Sequence, residues 1–179
     1  VGGRGHFDMI QLLEAEARAE LAGFTGRLAA GRAELVLKLA LSLDGRLAMA
    51  DGRSQWITGE AARLEGHRLR AAHDAILVGI ETILHDDPEL TARLPGRQVD
   101  QPLRVVLDSR LRTPPSARVA TGASALILTT SEPRSLGAAR VVRVESENGR
   151  PAVSAVLKGL TAAGVGSLLI EGGGQVAAA

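Results

Sequence analysis

Along residues 35–44, LVLKLALSLD, large apolar side chains alternate strictly with small, polar or charged ones. A strand turns successive residues to opposite faces, so Leu35, Leu37, Leu39, Leu41 and Leu43 share one surface, and Val36, Lys38, Ala40, Ser42 and Asp44 the other. The pattern predicts a strand that buries its leucine face and borders a cleft with its polar face. Residues 8–21 carry Ile10, Leu13, Ala17 and Leu21 at spacings of three and four, which is a helix stripe behind an Asp8 cap. A second helix is predicted over 59–72, capped by Thr58 and with Ala62, Leu69 and Ala72 among its apolar positions; another is predicted over 151–163.

Short apolar runs mark further strands: AILVG at 75–79, LRVVLD at 103–108, ALILTT at 125–130, RVVRV at 140–144 and SLLIE at 167–171. Strands alternating with helices predict an α/β fold around a mostly parallel sheet. Residues 88–102 and 109–122, rich in Pro, Gly, Arg and Thr, read as surface loops. After Gly172, Gly173 and Gly174, QVAAA starts a helix too short to hold itself, so the natural chain is expected to continue.

A length of 179 residues suits one domain. The boundaries expected are 1–32 for a linker and helix and 33–179 for the main domain. At 45% hydrophobic and 23% charged residues the chain is too apolar for intrinsic disorder. No run approaches the ~18–20 apolar residues that cross a bilayer, and no signal segment opens the chain, so a cytoplasmic protein or fragment is expected. Charge balance, 21 basic against 20 acidic residues, removes the broad field that would attract nucleic acid or an anionic membrane. Zero cysteines exclude disulfides, thiol catalysis and cysteine metal sites. One Trp and two Phe are too few for base-stacking platforms.

Candidate chemistry is therefore local. A strand ending in Glu171, followed by three glycines and a helix start, is a phosphate-binding arrangement, although a triple glycine is also an ordinary turn. Glu171 would stand at the carboxyl edge where open α/β sheets bind ligands, or be a solvated strand-end acid. Lys38 could orient a phosphate or sugar, or simply snorkel. Trp56 is the sole tryptophan, Arg70 and Arg93 could clamp a phosphate, and Asp86-Asp87-Pro88 reads as a turn. The four histidines show no metal-binding pair, and no Walker loop, dinucleotide fingerprint or nucleophile elbow is present. No metal is expected. These residues define an α/β small-molecule or nucleotide site without naming a reaction.

Taken in order, KLALSLDGR (38–46), SQWIT (54–58), LRA (69–71), DAILVG (74–79), TILHDDPELTAR (82–93), RVVLDS (104–109) and IEGGG (170–174) resemble the reductase domain of the bifunctional riboflavin-biosynthesis deaminase-reductase, from about residue 33 onward. The resemblance implies a three-layer dihydrofolate-reductase-like fold. It also implies NADPH-dependent reduction of 5-amino-6-(5-phosphoribosylamino)uracil to its ribitylamino counterpart, with hydride opening the ribose ring.

Position by position, it implies that Ala40, Trp56, Thr82, Asp86 and Ser109 line the cofactor site, with Gly173 and Gly174 at the NADPH phosphates. Ser54, Arg70, Leu90, Arg93 and Glu171 would meet the substrate, while Lys38, Asp44 and Glu171 would be the catalytic group. The deaminase half needs a zinc site with cysteines, so this cysteine-free chain would reduce without deaminating. The 1–32 arm would be a stalk from a deaminase domain, and several family strands beyond the glycine loop are expected to be missing. A homodimer and an adjoining deaminase domain are the partners it allows. The competing expectations are a reductase of the same fold acting on a pterin or another pyrimidine, and a non-catalytic nucleotide-binding module. No basic residue is assigned to a cofactor 2′-phosphate.

Overall fold

A computed structural model describes residues 33–47, 58–122, 124–171 and 173–178; the helix predicted at 8–21, Ser54 and Trp56 lie outside them. In chain order the elements are β1 (Glu34–Lys38), α1 (Glu60–Ala72), β2 (Ala75–Gly79), α2 (Ile80–Asp86), β3 (Leu103–Leu107) and α3 (Arg118–Thr121). They continue with β4 (Ala125–Thr129), β5 (Arg140–Arg143), β6 (Ser146–Glu147), β7 (Arg150–Pro151), α4 (Val153–Ala162), β8 (Ser167–Glu171) and α5 (Gly174–Ala177).

Six strands form one sheet in the order β1-β8-β2-β3-β4-β5, and every neighbouring pair is parallel. Strands β6 and β7 make a small antiparallel hairpin. The apolar runs are continuous because the central strands are covered on both faces. Period two splits them: Ile76, Val78, Val106 and Ile127 join Ile83 of α2 and Val119 of α3 in one core cluster. Ala75, Leu77, Val105, Leu126 and Leu128 join Val156 and Leu160 of α4 in the other. The sheet is thus the middle of three layers, and each fully buried Leu, Ile or Val contributes about 1.5–3 kcal/mol.

Asp74 ties the amino ends of β2 and β8 together. Its carboxylate accepts the backbone N–H groups of Gly166 and Ser167, both at 2.8 Å, and its own N–H donates to the Ser167 hydroxyl at 3.0 Å. That fixes the register of two adjacent strands whose carboxyl ends carry the site.

The first strand departs from expectation. Its ladder spans Glu34–Lys38, because its partner β8 has only five residues to offer and the register closes at Lys38 opposite Glu171. The leucine face is not buried: Leu35 is 47% exposed, Leu37 46% and Leu41 45%. As an edge strand, β1 is held by its neighbour's backbone, which alternation alone does not reveal. Thr58 is not the cap of α1; Gly59 takes that position in extended conformation, and the Thr58 carbonyl accepts from Arg63 at 2.8 Å. Ala62 and Ala72 are exposed, and Gly66 is the buried residue of the helix.

Candidate functional site

Parallel strands β8, β2 and β3 end side by side, and a cavity of about 590 Å³ opens at those carboxyl ends. That volume lies within the roughly 300–1,000 Å³ of small-molecule sites, and the edge of an open parallel sheet is where such sites form. Its walls come from Gly79 to Thr82 at the β2–α2 junction, Leu107 to Arg110 and Arg112 after β3, Gly149 to Pro151 of the hairpin, and Gly173, Gln175 and Val176.

Glycine is required where these walls meet. Gly173 has φ +81°, a conformation side chains rarely adopt, and a Cβ on Gly79 would lie 2.9 Å from the Val176 Cγ2 methyl. The β2–α2 turn therefore packs directly on α5. Backbone turns of this kind, next to the Thr82 hydroxyl, let main-chain N–H groups approach a ligand closely.

Ser109 is held from two sides. Its carbonyl accepts three hydroxyl groups, from Thr129 at 3.2 Å, Thr130 at 3.0 Å and Ser131 at 2.9 Å. Asp108 before it is fully buried; one carboxylate oxygen accepts the Thr113 N–H at 2.7 Å and hydroxyl at 2.8 Å, and the other has no hydrogen-bond partner among the described residues. The turn that carries Ser109 and Arg110 is thus fixed before any ligand arrives.

A second group gathers around Glu171. Arg70 of α1 forks onto its carboxylate, Nε to Oε1 at 2.8 Å and Nη2 to Oε2 at 2.6 Å, while Nη1 donates to the Thr91 carbonyl at 3.2 Å. Both partners are largely buried, with side-chain exposures of 17% and 8%. Lys38 is the register partner of Glu171 on β1. Arg93 lies on the outer side, ion-paired to Glu89 at 2.6 Å and donating to the Thr91 hydroxyl at 2.5 Å. His67 joins this group without having been anticipated: its Nδ1 lies 3.1 Å from the Thr91 carbonyl and 3.2 Å from the Arg93 N–H. Burial, then Arg70 and Arg93, push its pKa below the ordinary 6.5.

The structure therefore brings Thr82, Ser109 and Gly173 onto one cavity, with Gly174 opening the adjoining α5, and places Lys38, Arg70 and Glu171 together at the end of β8. Other anticipated positions fall elsewhere. Leu90 is 2% exposed in the core, Asp86 is exposed at the end of α2, and Ala40 follows β1 outside the cavity lining. Asp44 is exposed and bonded to Ser42 and Arg46, which hold its carboxyl below the usual range and favour an acceptor over a proton donor. Arg93 lines a separate surface hollow formed by residues 92–101. Arg70 is engaged by Glu171 rather than open to a phosphate.

Arg110, Arg112, Gly149 and Arg150 went unnoticed in the sequence. Asn148-Gly149 is a hairpin signal that would have found the last two, and both residues have positive φ, 51° and 74°. Among the described residues no group of carboxylates and imidazoles could hold a metal ion, and no helix is long and apolar enough to cross a membrane.

An open parallel α/β sheet with a glycine-walled cavity at its carboxyl edge is the architecture of a small-molecule-binding α/β domain. The family model for the RibD C-terminal domain matches residues 33–179, and the chain belongs to that family. It is 48% identical over 125 residues to riboflavin biosynthesis protein RibD of Mycobacterium tuberculosis, covering 68% of this chain and 37% of that protein. To the Bacillus amyloliquefaciens RibD it is 42% identical over 149 residues, 79% of this chain and 40% of the relative. The chain thus spans about two fifths of the curated relatives' length.

Among solved structures, Acinetobacter baumannii RibD superposes with a TM-score of 0.78 at 33% identity, over 92% of this chain and 46% of that one. The Thermotoga maritima diaminohydroxyphosphoribosylaminopyrimidine deaminase/5-amino-6-(5-phosphoribosylamino)uracil reductase gives 0.76 at 32% identity, with the same coverages. The Saccharomyces riboflavin biosynthesis reductase Rib7, at 21% identity and a TM-score of 0.63, over 90% of this chain and 74% of that one, shares the fold. The fold is dihydrofolate-reductase-like, as the family resemblance implied.

Proposed function

We propose that this domain is the reductase of riboflavin biosynthesis, reducing 5-amino-6-(5-phosphoribosylamino)uracil to 5-amino-6-(5-phosphoribitylamino)uracil at the expense of NADPH. Membership of the RibD C-terminal domain family supports the pathway, and the reaction named for the Thermotoga relative supports the substrate. The observation that carries the reading is that β8 leads from the cluster of Lys38, Arg70 and Glu171 at its carboxyl end to Gly173, which lines the cavity two residues further on.

NADPH would supply a hydride to C1′ of the ribosyl group. The ring oxygen then leaves C1′ as the C4′ hydroxyl and takes one proton, so the step consumes one hydride and one proton. Thr82, Ser109, Gly173 and Gly174 would hold the dinucleotide in this reading, and the family resemblance adds Ala40, Trp56 and Asp86 as cofactor contacts. Glu171, oriented by Arg70, accepts from the pyrimidine or ribose, and Lys38, one strand away, stabilises or protonates the departing oxygen. Asp44, kept ionised, steers the open-chain sugar. Arg93 would meet the substrate phosphate, and the family resemblance adds Ser54 and Leu90 as substrate contacts. Such a site works mainly by juxtaposition, since holding two reactants in contact can supply several kcal/mol of the barrier.

Deamination needs a zinc site with cysteines, of which this stretch has none, so it would fall to another part of a longer protein in the cytoplasm. The test is loss of nicotinamide absorbance on mixing the chain, NADPH and the ribosylaminouracil phosphate, with dihydrofolate in parallel. Turnover of the former alone is expected; preference for dihydrofolate would reject the substrate.

A further inference from the structure

Leu90 to Arg93 belong to no helix or strand, yet their backbone is held throughout. Leu90 anchors the start of the stretch in the core. Beyond it, four consecutive main-chain polar groups are bonded to side chains from other parts of the chain. Arg70 Nη1 donates to the Thr91 carbonyl at 3.2 Å. The Gln101 amide closes on Ala92, Oε1 accepting its N–H and Nε2 donating to its carbonyl, each at 2.9 Å. His67 Nδ1 lies 3.2 Å from the Arg93 N–H. Local sequence builds this grip. Leu94-Pro95-Gly96-Arg97 is a tight turn with Gly96 at φ +67° and the Arg97 N–H donating back to the Leu94 carbonyl, so the chain doubles back and sets Gln101 beside Ala92. His67 and Arg70 stand three positions apart on α1, which places both on the face turned to this stretch.

The state of the His67 ring follows from its neighbours. Burial, then Arg70 and Arg93, outweigh Glu171 and hold its pKa below 6.5, so the ring is uncharged at neutral pH and carries one proton. Arg70 already serves the Thr91 carbonyl. The arrangement that leaves no group unpaired puts that proton on Nε2 and lets Nδ1 accept the Arg93 N–H.

We infer that His67 and Gln101 are positioning residues, which grip the main chain of residues 92 and 93 from two sides and so fix where the Arg93 guanidinium meets the substrate phosphate. This rests on the reading above in which Arg93 takes that phosphate. Neither side chain needs to touch the ligand. Arg93 is exposed and its side chain is long, so a loose backbone would spread its charge over many positions. A held backbone leaves less freedom for the phosphate to remove, and it aligns the planar fork for two parallel hydrogen bonds.

The test is calorimetric binding, without turnover, of 5-amino-6-(5-phosphoribitylamino)uracil and of its dephosphorylated form. The proteins are the 179-residue chain and its Arg93→Ala, His67→Ala, His67→Asn and Gln101→Met variants, each checked for folding by its melting temperature. His67→Ala and Gln101→Met are each expected to weaken the phosphorylated ligand about three- to tenfold and the dephosphorylated one less than about twofold. His67→Asn, whose side-chain oxygen can accept where Nδ1 does, should restore most of the loss, which a packing role would not allow. Unchanged affinity in both His67→Ala and Gln101→Met, or equal weakening of the two ligands, would overturn the assignment, while discrimination lost in Arg93→Ala would leave the phosphate reading standing. Arg93→Ala binding both ligands as the unaltered chain does, or no binding of either by the unaltered chain, would overturn that reading and this inference with it.

Discussion

Arg70 reaches across from α1 to fork onto Glu171 at the end of β8, joining residues 101 positions apart through two hydrogen bonds of 2.8 and 2.6 Å. The pair fixes the carboxylate where the glycine loop begins, and it uses Arg70 for orientation before any substrate phosphate arrives.

Removing one partner leaves a largely buried charge without its complement. Glu171→Ala is expected to lower the unfolding free energy by about 1.5–3 kcal/mol, the range for hydrogen bonds to charged groups, with the urea m-value unchanged. Replacing Arg70 and Glu171 together by Met and Leu should cost less than Glu171→Ala alone, since no orphaned charge remains. A double variant as unstable as the single one would show that the loss comes from the fork itself and not from an orphaned charge.

His67 gives the site a pH dependence. One ring nitrogen cannot donate to the Thr91 carbonyl and accept from the Arg93 N–H at once, and Arg70, Arg93 and Glu171 all act on it. With its folded pKa below 6.5, the unfolded chain binds the proton first as pH falls. Its contribution to stability is therefore present above about pH 6.5 and is lost as pH falls through the folded value. Thermal melting should decline over that interval in the unaltered chain and decline less in His67→Gln; identical profiles would remove His67 from the account.

Core and edge leucines should respond differently. Leu160 of α4 is fully buried, so Leu160→Ala should cost about 2–5 kcal/mol by denaturant unfolding. Leu37→Ala on the half-exposed β1 face should cost about 1 kcal/mol or less. Equal losses would mean that the leucine face is covered in solution.

Gly79 tests the contact between the β2–α2 turn and α5. A methyl group there would displace Val176, whose Cγ2 lies 2.9 Å from the added Cβ, and with it the wall of the glycine loop. Gly79→Ala is expected to weaken dinucleotide binding about tenfold with a small change in melting temperature. Unchanged affinity would place the ligand away from this wall.

These relationships were legible in the sequence to different degrees. The strands at 75–79, 103–107, 125–129 and 167–171 were clear because double-faced burial demands unbroken apolar runs. The alternation of 35–44 was misleading, since a leucine face looks the same whether covered or open, and the length of the ladder was set by β8. Helix α2, IETILHD, is too short at seven residues for a 3.6-residue period to declare itself. Of the anticipated site residues, Glu171 and Gly173 were placed by the strand-end glycine motif and Thr82 and Ser109 by the family resemblance, and the topology delivers all four to one edge. The Arg70–Glu171 fork and the three arginines of the cavity depend on loops meeting in space, which spacing along the chain does not encode.

The central claim is hydride transfer from a dinucleotide to the ribosyl carbon. It is tested most directly by incubating the chain with NADPH deuterated on the transferring face at C4 of the nicotinamide, together with 5-amino-6-(5-phosphoribosylamino)uracil, and locating the label by mass spectrometry. The account predicts one deuterium at C1′ of the ribityl product. Formation of that product with no deuterium from either face of NADPH, or no product in the presence of bound NADPH, would contradict it.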